Sequence, residues 1–86
     1  MVNQTYRIII EPDEKGFHGY VPALRGCHTW GKTISETKMH LREAMELFIE
    51  TLLEYNEPIP EDDSFEAFET VSVKKPARRV ASRQYA

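Results

Sequence analysis

Apolar and polar residues alternate with a period of two over Tyr6–Glu11 and again over Phe17–Val21, which predicts two strands. In the first, Tyr6, Ile8 and Ile10 share one face, and Arg7, Ile9 and Glu11 the other. The run Pro12-Asp13-Glu14-Lys15-Gly16 between them is polar and ends in glycine, as a hairpin connection should. Pro22 and Gly26 then punctuate a kinked passage into a short third strand around Cys27–Trp30. From Ile34 to Tyr55 the period lengthens to that of a helix. Ile34, Leu41, Ala44, Met45, Phe48, Leu52 and Tyr55 fall on one stripe, with Glu36, Glu43, Glu46, Glu50 and Glu54 opposite. Thr33-x-x-Glu36 has the spacing of a capping box, Asn56 suits a left-handed C-cap, and Pro58 and Pro60 forbid continuation. Thr70–Val73 reads as a short fourth strand.

This order predicts an α+β fold: a small two-layer β-β-β-α-β domain with one helix on one sheet face. A right-handed crossover would set the fourth strand parallel in the sheet, beside the first. Gly19, midway along the second strand, lets the helix approach closely. Facing the helix should be Tyr6, Ile8, Ile10, Phe17, Val21 and Cys27. The open face then carries Ile9, His18, Tyr20, His28 and Trp30. Aromatic-rich patches mark protein contacts, although strand propensity alone also favours aromatics. These residues are the candidate partner or oligomer interface.

The 86 residues allow one small domain with a marginal core, for which self-association as a dimer or tetramer is a physical expectation. The formal charge of −3 conceals a split. Residues 1–73, the predicted domain, hold six Lys and Arg against fourteen Asp and Glu, hence −8. Residues 74–86 hold Lys74, Lys75, Arg78, Arg79 and Arg83 and no acid, hence +5. The first favours basic partners; the second, a basic and flexible tail, could touch nucleic acid weakly through phosphates. Glu46, Glu50 and Glu54 stack at a spacing of four without lysine in the row, either a solvated face or an acidic docking surface. A single cysteine, no membrane-length apolar run and no signal-peptide layout lead to the expectation of a cytoplasmic protein that does not engage membranes.

Catalytic or metal chemistry finds little support. Cys27 and His28 are adjacent on a strand and point to opposite faces, and no CxxC or HxxxH pair joins them to His18 or His40. Cys27 lacks a neighbouring base and reads as a small buried apolar residue. No catalytic residue, metal ligand or cofactor is therefore expected.

The block Gly16-Phe17-His18-Gly19-Tyr20-Val21-Pro22-Ala23-Leu24-Arg25-Gly26-Cys27-His28-Thr29-Trp30-Gly31-Lys32-Thr33, followed by a helix and Glu57-Pro58-Ile59-Pro60, resembles the HicB family of toxin–antitoxin systems. The resemblance spans roughly residues 5–60 and implies a partial ribonuclease H-like layout. That layout raises the question of metal-binding carboxylates converging from the first strand, helix and fourth strand. Only Glu11 lies on a strand, at its end, so the set is incomplete. The resemblance also implies a partner: HicA toxins are small basic ribonucleases with a catalytic histidine. Relatives often carry a DNA-binding module after the core, for which residues 74–86 are too few.

The expected function is that of a non-enzymatic antitoxin-like protein that binds and inhibits a HicA-type mRNA-cleaving toxin. The alternatives are a free-standing HicB-like self-associating domain with an unassigned regulatory role, or a nucleic-acid binder working through its tail.

Overall fold

A computed structural model describes residues 3–76. Strands β1 (Ile9–Pro12), β2 (Phe17–Tyr20) and β3 (His28–Gly31) form an antiparallel sheet in that order, and helix α1 (Ile34–Glu54) lies across one face. The fold is α+β. The hairpin between β1 and β2 is closed by Asp13, whose Oδ1 accepts from the amides of Lys15 and Gly16. Its proline ends β1, where a missing ladder donor costs nothing.

Helix α1 begins at Thr33, whose hydroxyl accepts from the Glu36 amide at 3.0 Å. Glu36 reaches back to the amide of Lys32 at 2.6 Å, one residue before the cap. The helix ends in a Schellman arrangement: Glu57 N donates to Leu52 O, Asn56 N to Leu53 O, and Asn56 adopts φ 54°.

The helix touches the sheet at two glycines. A Cβ on Gly19 would stand 2.8 Å from Thr37 Cγ2, and one on Gly31 would stand 2.6 Å from the Thr37 backbone nitrogen. Thr37 is fully buried at this contact, and its hydroxyl donates to Thr33 O at 2.7 Å. Around it the core consists of Val21, Leu24, Cys27 and Leu41, with Tyr6, Ile8, Ala44, Met45, Phe48 and Ile49 half-buried against it.

The inward stripe therefore differs from the expected one at its ends. Ile34 and Tyr55 are exposed, because the sheet is only four residues deep and the helix overhangs it. Thr37 takes the place nearest the strands, where a larger side chain would hold the helix away. Leu24, inside the connection from β2 to β3, is fully buried as well. A loop closed by Val21 N to Cys27 O, Leu24 N to Val21 O and Cys27 N to Leu24 O folds it inward as a plug.

The expected fourth strand at Thr70–Val73 is not formed. Residues 57–76 have no regular structure, and Val71 and Val73 are exposed. A strand of that length does not persist unpaired, and the segment pairs with neither β1 nor β3. Among the described residues the arm is tied down near its start. Tyr6 Oη donates to Pro60 O, and the Arg7 amide donates to Asp62 Oδ2 at 2.6 Å. Asp62 Oδ1 also accepts from the Ser64 hydroxyl and amide. The Ser64 hydroxyl, then the Arg7 and Ser64 amides, hold the Asp62 carboxyl down to about 2. The described residues thus form three antiparallel strands and one helix, without the fourth strand of the expected β-β-β-α-β order.

Gly31→Ala should destabilise the fold by about 1–3 kcal/mol, since the methyl group meets backbone rather than a movable side chain. Leu41→Ala should cost about 2–5 kcal/mol, and the exposed Glu50→Ala less than about 0.5 kcal/mol. Urea denaturation of the three variants checks this ranking, and equal costs would mean the helix sits on a different face.

Candidate functional site: the open face of the sheet

Because α1 covers the Gly19 and Gly31 side of the sheet, the residues between them in the alternation point the other way. The register places His18 opposite Trp30, and Tyr20 opposite both His28 and Ile9. All five residues expected on the open face are thus brought together in two adjoining rows. The His18 and Tyr20 rings stack with centroids 5.7 Å apart. His18 Nε2 lies 3.4 Å from His28 Nδ1, with the rings tilted at 58°.

Trp30 is 41% exposed, yet it is held at both ends of its residue. Its indole N–H donates to Asp13 Oδ1 at 3.3 Å, and its carbonyl lies 2.9 Å from His40 Nδ1 on the helix. Asp13 therefore clamps the hairpin turn and the tryptophan with one oxygen. The Trp30 bond, with the Lys15 and Gly16 amides and the nearby His18, lowers the Asp13 carboxyl below its ordinary value. An aromatic side chain already held in place loses little freedom when a partner covers it.

Beside His18, Tyr20 and His28 the face dips into an open depression of about 460 Å³. Its far wall is the loop carrying Pro22, Arg25 and Gly26, with the buried Leu24 beneath. Aromatic and aliphatic side chains, two imidazoles and the Arg25 guanidinium surround it. Among the described residues, no three His, Cys, Asp or Glu side chains converge in a manner suited to a metal ion. Cys27 is buried behind the face, and burial raises its thiol pKa. Glu11 is exposed at the end of β1.

The glutamate row is not part of this site. Glu46, Glu50 and Glu54 are exposed on the helical layer, with Glu46 and Glu50 bordering a groove between α1 and residues 3–8. The acidic row and the aromatic patch thus lie on opposite sides of the sheet and cannot serve one flat contact. In the tail, Lys74 and Lys75 are exposed, whereas Arg78, Arg79 and Arg83 lie outside the described residues. Sequence reasoning missed the Asp13–Trp30 clamp. Its signal was an acceptor in the hairpin turn and a tryptophan two strands away, which only the pairing register could connect.

The family described as "HicB_like antitoxin of bacterial toxin-antitoxin system" matches residues 6–76. A UPF0150 protein of Thermoplasma acidophilum is 45% identical over 62 residues, covering 71% of this chain and 90% of its own length. A UPF0150 protein of Synechocystis sp. is 37% identical over 60 residues, covering 69% and 76% respectively. Among solved structures, a chain of a HicA3 and HicB3 toxin-antitoxin complex is similar with a TM-score of 0.60 and 32% identity, covering 70% of each chain. No helix among the described residues is long and apolar enough to cross a membrane.

The clamp makes a pH prediction. A carboxyl whose pKa is lowered by folding stabilises the fold above its unfolded value, near 3.8, and loses that contribution as pH falls through the lower folded value. The Trp30 indole N–H resonance should therefore move on acidification with a midpoint below 3.8. Asp13→Ala should abolish the transition, and a resonance that still titrates in that variant would place the clamp elsewhere.

Proposed function

As the chain belongs to the HicB-like antitoxin family, we propose that it binds and inhibits a HicA-type mRNA-cleaving toxin through the open face of its sheet, and that it is not itself an enzyme. The observation that carries the reading is the contiguous, uncovered patch of Ile9, His18, Tyr20, His28 and Trp30 on a chain similar to one found in a toxin-antitoxin complex. Clustered tyrosine and tryptophan, held rigid and desolvated on contact, are the side chains that concentrate binding energy at interface centres. The charge of −8 over residues 1–73 adds long-range attraction for a basic ribonuclease, wherever on the surface the acids sit.

Inhibition then requires only that the face occlude the toxin's active site. No group on this chain has to react. The depression beside His18 and His28 is wide enough to accept a protruding side chain of the toxin, with Arg25 at its rim. Residues 74–86 share the toxin's expected sign and contribute little to the attraction.

Co-expression with a HicA-type toxin from the same genome should relieve that toxin's growth arrest, and removal of residues 74–86 should leave the relief intact. The double variant Tyr20→Asp, Trp30→Ala should weaken toxin binding by at least about 100-fold, the loss expected when two central anchors are removed. Its fold should persist, since neither ring belongs to the core. Titration calorimetry with purified toxin checks the affinity, and wild-type affinity in the double variant would move the contact off this face.

A further inference from the structure

On the other side of the molecule a groove of about 890 Å³ runs between α1 and residues 3–8. Its apolar lining is Ile8, Leu41, Met45 and Ile49, with Met39 and Leu53 exposed at the margins. The same chain carries apolar side chains with nowhere to go. On the arm, Phe65 is 97% exposed and Phe68 is 88% exposed, and Val71 and Val73 are exposed beyond them. Among the described residues, none of the arm lines the groove. An unfilled apolar groove and an uncovered apolar segment on one chain are complementary halves of a contact.

We propose that the arm over residues 65–75 docks in the groove of a second copy of this chain, and that the two copies exchange arms reciprocally into a dimer. The arm reaches far enough. From Asp62 to Val73 an extended chain spans about 36 Å at about 3.3 Å per residue. The groove wall from Lys38 to Leu53 spans only about 22 Å of helix.

Charge order selects the direction. Along α1 the groove rim presents Lys38 and Arg42 first, then Glu46 and Glu50. Along the arm come Glu66 and Glu69 first, then Lys74 and Lys75. An arm laid with the polarity of the helix sets each pair against opposite charge, and a reversed arm sets like against like.

The chain's own arm does not fill the groove. Asp62 holds it to the Arg7 amide, on the segment that forms the groove's other wall, and Phe65 is already in solvent three residues later. A two-fold exchange makes every contact twice. Four phenylalanines alone bury about 600–1,000 Å², before valines and groove walls are counted. The total reaches the range of about 1,200–2,000 Å² typical of stable interfaces.

This inference is independent of the toxin-binding reading, and its test uses no toxin. The full chain should sediment as a dimer, and Phe65→Asp with Phe68→Asp should raise the dissociation constant by at least about 100-fold. Circular dichroism of that variant should be unchanged, because both rings are outside the fold's own contacts. A groove variant, Met39→Lys with Leu53→Lys, should likewise be monomeric. Mixing the two variants should restore a heterodimer held by the one intact arm and the one intact groove. Tyr20→Asp with Trp30→Ala should remain dimeric, which separates this contact from the open face. Three outcomes would overturn the proposal: a monomeric wild type at about 100 μM, a dimer indifferent to the arm variant, or a mixture that fails to recombine.

Discussion

The helix rests on the backbone of the sheet, not on a cushion of side chains. Gly19 and Gly31 remove two side chains from the strands, and Thr37 fills the gap they leave. A threonine in that position would be costly if its hydroxyl were unpaired, but it donates back to Thr33 O within the helix. The contact sets the distance between the layers and so decides which other residues can touch. Leu41 reaches the centre of the core, while Ile34 at the helix start overhangs the strands and stays in water.

Every other feature of the body follows from that approach. A sheet of three four-residue strands covered on one side leaves its other side bare. The alternation that puts glycines against the helix necessarily puts His18, Tyr20, His28 and Trp30 on the bare side. The close seat of the helix also leaves a narrow core. Leu24 supplements it from a loop, since full burial of a leucine is worth about 1.5–3 kcal/mol. The open aromatic face and the core are consequently two faces of the same strands.

The apolar surface of so short a chain exceeds what its own fold can cover. Besides single exposed side chains on the helix, Ile34, Leu47 and Tyr55, the excess gathers in two places: an aromatic sheet face, and the arm and groove of the helical side. Segregation of this kind is what separate contacts with separate partners require. Under the readings proposed above, the sheet face meets a protein of different chemistry and the arm meets a copy of the same chain. The two contacts lie on opposite layers and do not compete.

The amino-acid sequence by itself determined the order of the three strands, though the first begins at Ile9 and not at Tyr6, the helix from Ile34, its capping by Thr33 and Glu36, the left-handed Asn56 and the membership of the open face. These depend on local rules: the two-residue alternation of a strand, the orphan amides at a helix start, and the freedom of asparagine at positive φ. Tertiary structure alone decided the rest. Thr70–Val73 has strand composition, yet a strand is a property of a pair, and this segment pairs with neither edge of the sheet. Leu24 sits between turn residues and becomes core only because the loop closes over it. Thr37 is buried because two glycines lie beneath it, and Trp30 is clamped because the register brings the hairpin's Asp13 within reach. Each of these depends on residues distant in the chain meeting in space, and a one-dimensional pattern contains no information about distance.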